Sequence, residues 1–155
     1  MSRAFVKESD DAGPPLPELS LSPHANFVTP TGLAQIQARV AALERELRAA
    51  RAAEDKPLVT RIQRDLRYWT QRRASARVVP TAVETLTVVR FGFSVAVRFA
   101  DGSQRSFKLV GEDEADPAHG LLSWVSPLGR ELAGKSPGDD VSVAGRLAEV
   151  VALSH

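Results

Sequence analysis

The feature that most limits this chain is a pair of matching apolar seams. Leu33, Ile36, Val40, Leu43, Leu47 and Ala50 follow one another at spacings of 3, 4, 3, 4 and 3. Val59, Ile62, Leu66, Trp69, Arg73 and Ala76 repeat those spacings, with Arg73 as the polar member. That alternation puts every seam residue on one face of a helix, and no strand produces it. Ala, Arg, Glu and Gln fill the intervening positions, and all are good helix formers. Only the stretch "RAAEDKPLV", Arg51 to Val59, joins the two seams. Pro57 suits the first turn of the second helix, where its missing N–H is not needed. Upstream, Thr29 or Thr31 can cap the first helix while Pro30 restricts its entry. Two short seams joined by a short connection pair most economically antiparallel. The spacing predicts a coiled-coil hairpin over 29–78, an arm ~30 Å long at ~1.5 Å per residue.

From Val78 the pattern changes. Val, Phe and Thr dominate, with stretches of period 2. Asp101-Gly102 marks a hairpin between "SVAVRFA" and "QRSFKLV", and "GLLSWVS" reads as another short strand. In "SPLGRELAGK", Ser126 is a cap, Pro127 a first helical position and Gly134 a stop. "DDVSV" and "LAEVVAL" form a final strand pair around Ala144-Gly145-Arg146. The expected fold class is α+β: a helical hairpin, then a small domain of about five strands and one short helix over 79–155. Residues 1–28 hold most of the prolines of "GPPLPELSLSPHANFVTP" and show no period, which predicts an extended or disordered Pro-rich leader.

Composition excludes several classes. The chain has no cysteine, so disulfides and thiolate metal sites are ruled out. No apolar run approaches the roughly 18 residues of a membrane helix, and the start carries no secretory h-region, so a cytoplasmic protein is expected. Positions 31–77 carry 11 Arg/Lys and 5 Asp/Glu, so the net +6 of the hairpin is offset by −2 before it and −3 after it. A basic arm suits an acidic protein surface or a nucleic-acid backbone. There is no P-loop, no G-x-G-x-x-G, no H-E-x-x-H and no nucleophile elbow. His24, His119 and His155 are scattered, and "GEDEADPAHG" lacks the EF-hand alternation and reads as a solvated loop. These residues favour a binding or regulatory protein over an enzyme.

The stretch from Val89 to Val143 resembles the C-terminal domain of the GreA/GreB transcription elongation factors. The features are "FG" opening a strand, the "DG" hairpin, "LVGEDEAD", "GLLS", "SP" before a helix ending "LAGK", and "GDDV". Upstream, "VTPTGLAQIQARVAALERELRAA" resembles the start of the Gre coiled coil and "ASARVVP" its exit, so the likeness runs over about 28–153. It implies an FKBP-like antiparallel sheet that docks on bacterial RNA polymerase at the rim of the secondary channel. The arm then enters the channel, and contact with nucleic acid comes through the polymerase complex. In that family, acidic residues at the tip help hold a magnesium ion in the polymerase's active site and stimulate cleavage of backtracked RNA. The chemistry belongs to the polymerase.

The tip departs from the family pattern. It lacks a string like G-D-L-S-E-N, and its carboxylates, Glu54 and Asp55, are adjacent and point apart. The arm is also about 18–20 residues shorter, ~14 Å less reach at ~1.5 Å per residue over two helices. Rnk, a shortened relative, occupies the same polymerase surface without cleavage activity. Glu54 and Asp55 are the candidate ligands for a polymerase-held magnesium; their bland alternative is to favour the start of the second helix through its dipole. Trp124, Val125, Ser126 and Pro127 are the candidate partner-binding residues. The expectation is a monomeric, non-enzymatic regulator with no cofactor of its own, acting by occupancy. The alternatives are active transcript cleavage through the acidic tip, or a protein-interaction module unrelated to polymerase.

Overall fold

The computed structural model describes residues 15–80 and 85–155. A two-residue strand β1 (Phe27–Val28) leads into helix α1 (Pro30–Ala52), and helix α2 (Lys56–Ser75) returns antiparallel to β2 (Arg77–Val78). Strands β1 and β2 pair in parallel and close the base of the hairpin. Ile36, Val40, Leu43, Leu47 and Ala50 are buried, and Leu43, Leu47, Ala50 and Ile62 form one apolar cluster with Leu58, Val59, Leu66 and Trp69 around it. Both seams therefore behave as expected along most of their length. Near the base the second one shifts: Arg72 is buried, at 2% exposure, and Arg73 is exposed. From Trp69 the stripe continues at a spacing of three instead of four. There α2 turns its buried side toward β1 and the small domain, not toward α1.

The turn at the far end satisfies its own backbone. Asp55 N–H donates to Ala50 O and Glu54 N–H to Arg51 O, both at 3.1 Å. That pair of bonds is a Schellman ending, whose left-handed position usually takes glycine. Here the position is Glu54, at φ 54°. The next residue, Asp55, caps α2 by accepting from Leu58 N–H at 3.1 Å.

The small domain holds strands β3 (Ser94–Phe99), β4 (Gln104–Val110), β5 (Leu121–Ser123), β6 (Asp140–Val143) and β7 (Arg146–Ser154), with helix α3 (Pro127–Leu132) between β5 and β6. A single 3-10 turn, Pro117–His119, precedes β5. The sheet order is β5-β4-β3-β7-β6. All neighbours are antiparallel except β4 and β5, which run parallel because the segment between them crosses over instead of folding straight back. The β6–β7 turn uses Ala144 at φ 49° and Gly145 at φ 77°, the two left-handed positions of a type I′ hairpin. Alternate residues of β3, Val95, Val97 and Phe99, face a core shared with Phe107, Leu109, Leu122, Leu132, Val141, Val143, Ala148 and Val150. No helix among the described residues is long and apolar enough to cross a membrane.

The leader departs from expectation. Its first 14 residues lie outside those described. Residues 15–28 are extended, as proline content predicts, but they have defined places and are not a disordered tail. Glu18 pairs with Arg67 of α2, at 2.5 Å. Ser22 donates to Glu112 Oε1 at 2.9 Å, and the Phe27 ring lies 5.1 Å from that of Trp124. The segment is a strap laid across both the arm and the small domain. Its partners are side chains far along the chain, so a local reading of its prolines does not reveal them.

Candidate functional site

Three places carry groups able to act: the tip of the arm, the start of α3, and the joint where arm, strap and small domain meet. At the tip, Glu54 and Asp55 are exposed. Asp55 Oδ1 is held by the Leu58 N–H, which stabilises the start of α2 by about 1 kcal/mol, the usual worth of such a cap. Glu54 is the carboxylate at the tip with no such backbone duty. Among the described residues no cluster of three His, Asp or Glu side chains is spaced to hold a metal ion. Glu54 and Asp55 are the two carboxylates at the tip, and one oxygen of Asp55 is engaged by the helix start.

At the start of α3, Ser126 Oγ donates to Ser123 O at 2.7 Å and accepts from Gly129 N–H at 3.1 Å. Its hydroxyl serves as the helix cap. Gly129 leaves no room for a side chain, since a Cβ there would run into the Ser123 carbonyl. Pro127 is exposed and Val125 half-exposed, so these two present an apolar surface. Trp124 turns the other way. Its ring packs on Phe27 and, 6.2 Å away, edge-on to His24, and its buried Nε1 has no hydrogen-bond partner among the described residues. The four residues singled out from sequence therefore divide: Val125 and Pro127 face outward, Ser126 shapes the helix, and Trp124 belongs to the strap contact.

The joint has the densest chemistry, and the sequence did not mark it. Arg72 Nε donates to Asp113 Oδ2 at 2.7 Å, and Arg72 Nη2 donates to Asn26 Oδ1 at 2.8 Å. The amide of Asn26 in turn donates to the Arg72 carbonyl at 2.7 Å, one of the orphan acceptors at the end of α2. Glu112 Oε2 lies 3.9 Å from the same guanidinium. At the start of α1, Thr29 Oγ1 accepts from Gly32 N–H and donates to Glu114 Oε2 at 2.6 Å. A Cβ on Gly32 would sit 3.0 Å from that carboxylate, which explains the Thr-x-x-Gly spacing physically. Burial, and after it the charge of Asp113, push the Tyr68 hydroxyl above its ordinary range, consistent with an acidic, partly dry joint. The "GEDEADPAHG" run is thus not a solvated loop: Glu112, Asp113 and Glu114 are the domain's half of this joint. Asp116 pairs with the exposed His119 at 2.6 Å.

A family model for the transcription elongation factor GreA/GreB C-terminal region matches residues 84–151. That span of the chain is similar to a GreA/GreB C-terminal domain. GreB of Neisseria meningitidis (serogroup A, strain Z2491) is 41% identical over 81 residues, which is 52% of this chain and 50% of that protein. GreA of Helicobacter pylori strain G27 is 39% identical over 71 residues, 45% of this chain and 43% of that protein. The chain spans about half the length of the curated relatives it matches. The crystal structure of GreA factor homolog 1 from Thermus thermophilus is 19% identical, with a TM-score of 0.42, over 85% of this chain and 100% of that one. The GreA/GreB-type span takes in the acidic loop and the start of α3, while the strap and the arm lie outside it.

Proposed function

We propose that this chain binds bacterial RNA polymerase through its GreA/GreB-type domain and regulates transcription elongation by setting the arm in the secondary channel, acting by occupancy. The observation that carries the reading is the match of residues 84–151 to that domain family. Val125 and Pro127 supply an outward apolar patch for docking. Arg39, Arg45, Arg48, Arg51, Arg61 and Arg73 are exposed along the arm and complement acidic channel walls or the phosphates of nucleic acid inside the complex. Occupancy is favoured over cleavage by the tip, because Asp55 Oδ1 is tied to the start of α2 and Glu54 is the tip carboxylate wholly free to reach a polymerase-held magnesium. With such a partner the protein acts in the cytoplasm, without a cofactor of its own and without being an enzyme.

Binding to immobilised core RNA polymerase tests docking. The full chain is retained, and Val125→Asp combined with Pro127→Glu weakens retention at least tenfold while leaving the unfolding midpoint of the domain in place. Failure of the parent chain to bind core polymerase overturns the reading and leaves a protein-interaction module with some other partner.

A further inference from the structure

We infer that Arg72 is a positioning residue: the joint it closes with Asn26 and Asp113, together with the Thr29–Glu114 bond, sets the direction of the arm relative to the small domain. The two helices of the arm are attached separately. Helix α2 is held through Arg72 to Asp113, and α1 through Thr29 to Glu114. A single attachment leaves an arm free to swing about it. Two attachments, one per helix, to consecutive residues of one loop fix an angle.

The chemistry suits that task. Arg72 and Thr29 are 2% and 5% exposed, so water does not compete for their bonds. A guanidinium presents its donors in a rigid plane and bonds well only in a narrow range of directions, whereas an apolar contact tolerates sliding. A buried ion pair is a poor source of net stability compared with well-packed apolar residues, but its directionality can specify one arrangement. The strap closes the third side, with Asn26 bonded to both ends of Arg72 and the Phe27 carbonyl packed where a Cβ on Gly111 would otherwise stand. The arm is also a long lever. Helix α1 has 23 residues. At ~1.5 Å per residue it is ~35 Å long, so a rotation of about 10° at the joint displaces the tip by about 6 Å. The functional weight of this rests on the polymerase reading, since an arm that enters a channel must arrive at one angle.

The chain has no cysteine, so introduced pairs are unique sites for spin labels. Labels at Ala53→Cys and Ser142→Cys report tip-to-domain distance, and labels at Gln104→Cys and Ser142→Cys report the domain alone. The parent gives one narrow tip-to-domain distribution. Arg72→Leu at least doubles its width, Arg72→Lys, which keeps charge but loses the planar fork, gives an intermediate width, and the domain pair is unchanged in both. Should Arg72→Leu fail to fold, as judged by the domain pair and by helical circular dichroism, Asp113→Asn decides, with the same broadening expected. A folded Arg72→Leu or Asp113→Asn variant whose tip-to-domain distribution matches the parent overturns the inference. No polymerase enters this experiment, so its outcome is independent of the docking test.

Discussion

At the residue scale, the tip shows how one position can carry a local cost. Glu54 adopts the left-handed conformation that a Schellman ending requires, which costs a side-chain-bearing residue about 1–2 kcal/mol relative to glycine. Glu54→Gly removes that cost but makes the unfolded chain more flexible, so a net gain of about 0.5–1 kcal/mol is expected from urea unfolding. A loss of stability in this variant would mean the Glu54 side chain makes a contact that the free protein needs. Asp55→Ala acts in the opposite sense, removing the cap of α2 at a cost of about 1 kcal/mol. By sequence, Asp55 is a candidate both for a metal ligand and for a helix-start residue. The cap bond to Leu58 supports the second role, and it was legible because the pattern Asp-Lys-Pro just before an apolar period is a helix-start signal. The left-handed state of Glu54 was not legible, since nothing about glutamate suggests it.

At the element scale, the helices were legible because each buried side chain is three or four residues from the next. The joint was not, because Arg72 meets Asn26 across 46 residues and Asp113 across 41, and Thr29 meets Glu114 across 85. No period marks such partners. The seam itself misdirected the reading by one position, to Arg73, because a strict heptad ignores the point where the helix changes neighbours. The strap was hidden for a similar reason: proline content predicts its extended backbone, not what it lies on. Its outer end depends on the exposed Glu18–Arg67 pair, in which the hydrogen bond from Arg67 holds the Glu18 carboxyl below its usual range. A carboxyl lowered on folding adds stability above its unfolded pKa and loses it as pH falls through the lowered value. Acidification below the ordinary glutamate range, or high salt, therefore frees the Glu18 end of the strap from α2 before it affects Val28. The distance between spin labels at Leu19→Cys and Thr70→Cys, measured at neutral and acid pH, checks this. An unchanged distribution at both pH values would contradict it. Helix α3 offers a simpler test: Ser126→Ala removes its cap and costs about 1 kcal/mol.

At the scale of the whole molecule, a basic arm is bonded through Arg72 and Thr29 to a small domain similar to the GreA/GreB C-terminal region, with a strap across the join. The domain was readable from sequence because its signals are turns and caps: Asp101-Gly102, Ser126-Pro127 and Ala144-Gly145 each specify local backbone, and local backbone specifies strand order. Which of Trp124 and Val125 faces outward was not readable, since the packing of Trp124 against Phe27 depends on the strap. Action by occupancy is the central claim, and a halted, backtracked RNA polymerase complex tests it most directly. The full chain is added and the RNA is followed on a sequencing gel, with the arm's binding confirmed in the same sample. The account predicts that the chain binds and that the RNA is cleaved no faster than by polymerase alone. Rapid release of short RNA products by the parent chain, lost in Glu54→Gln, would contradict it and assign the tip a direct part in cleavage.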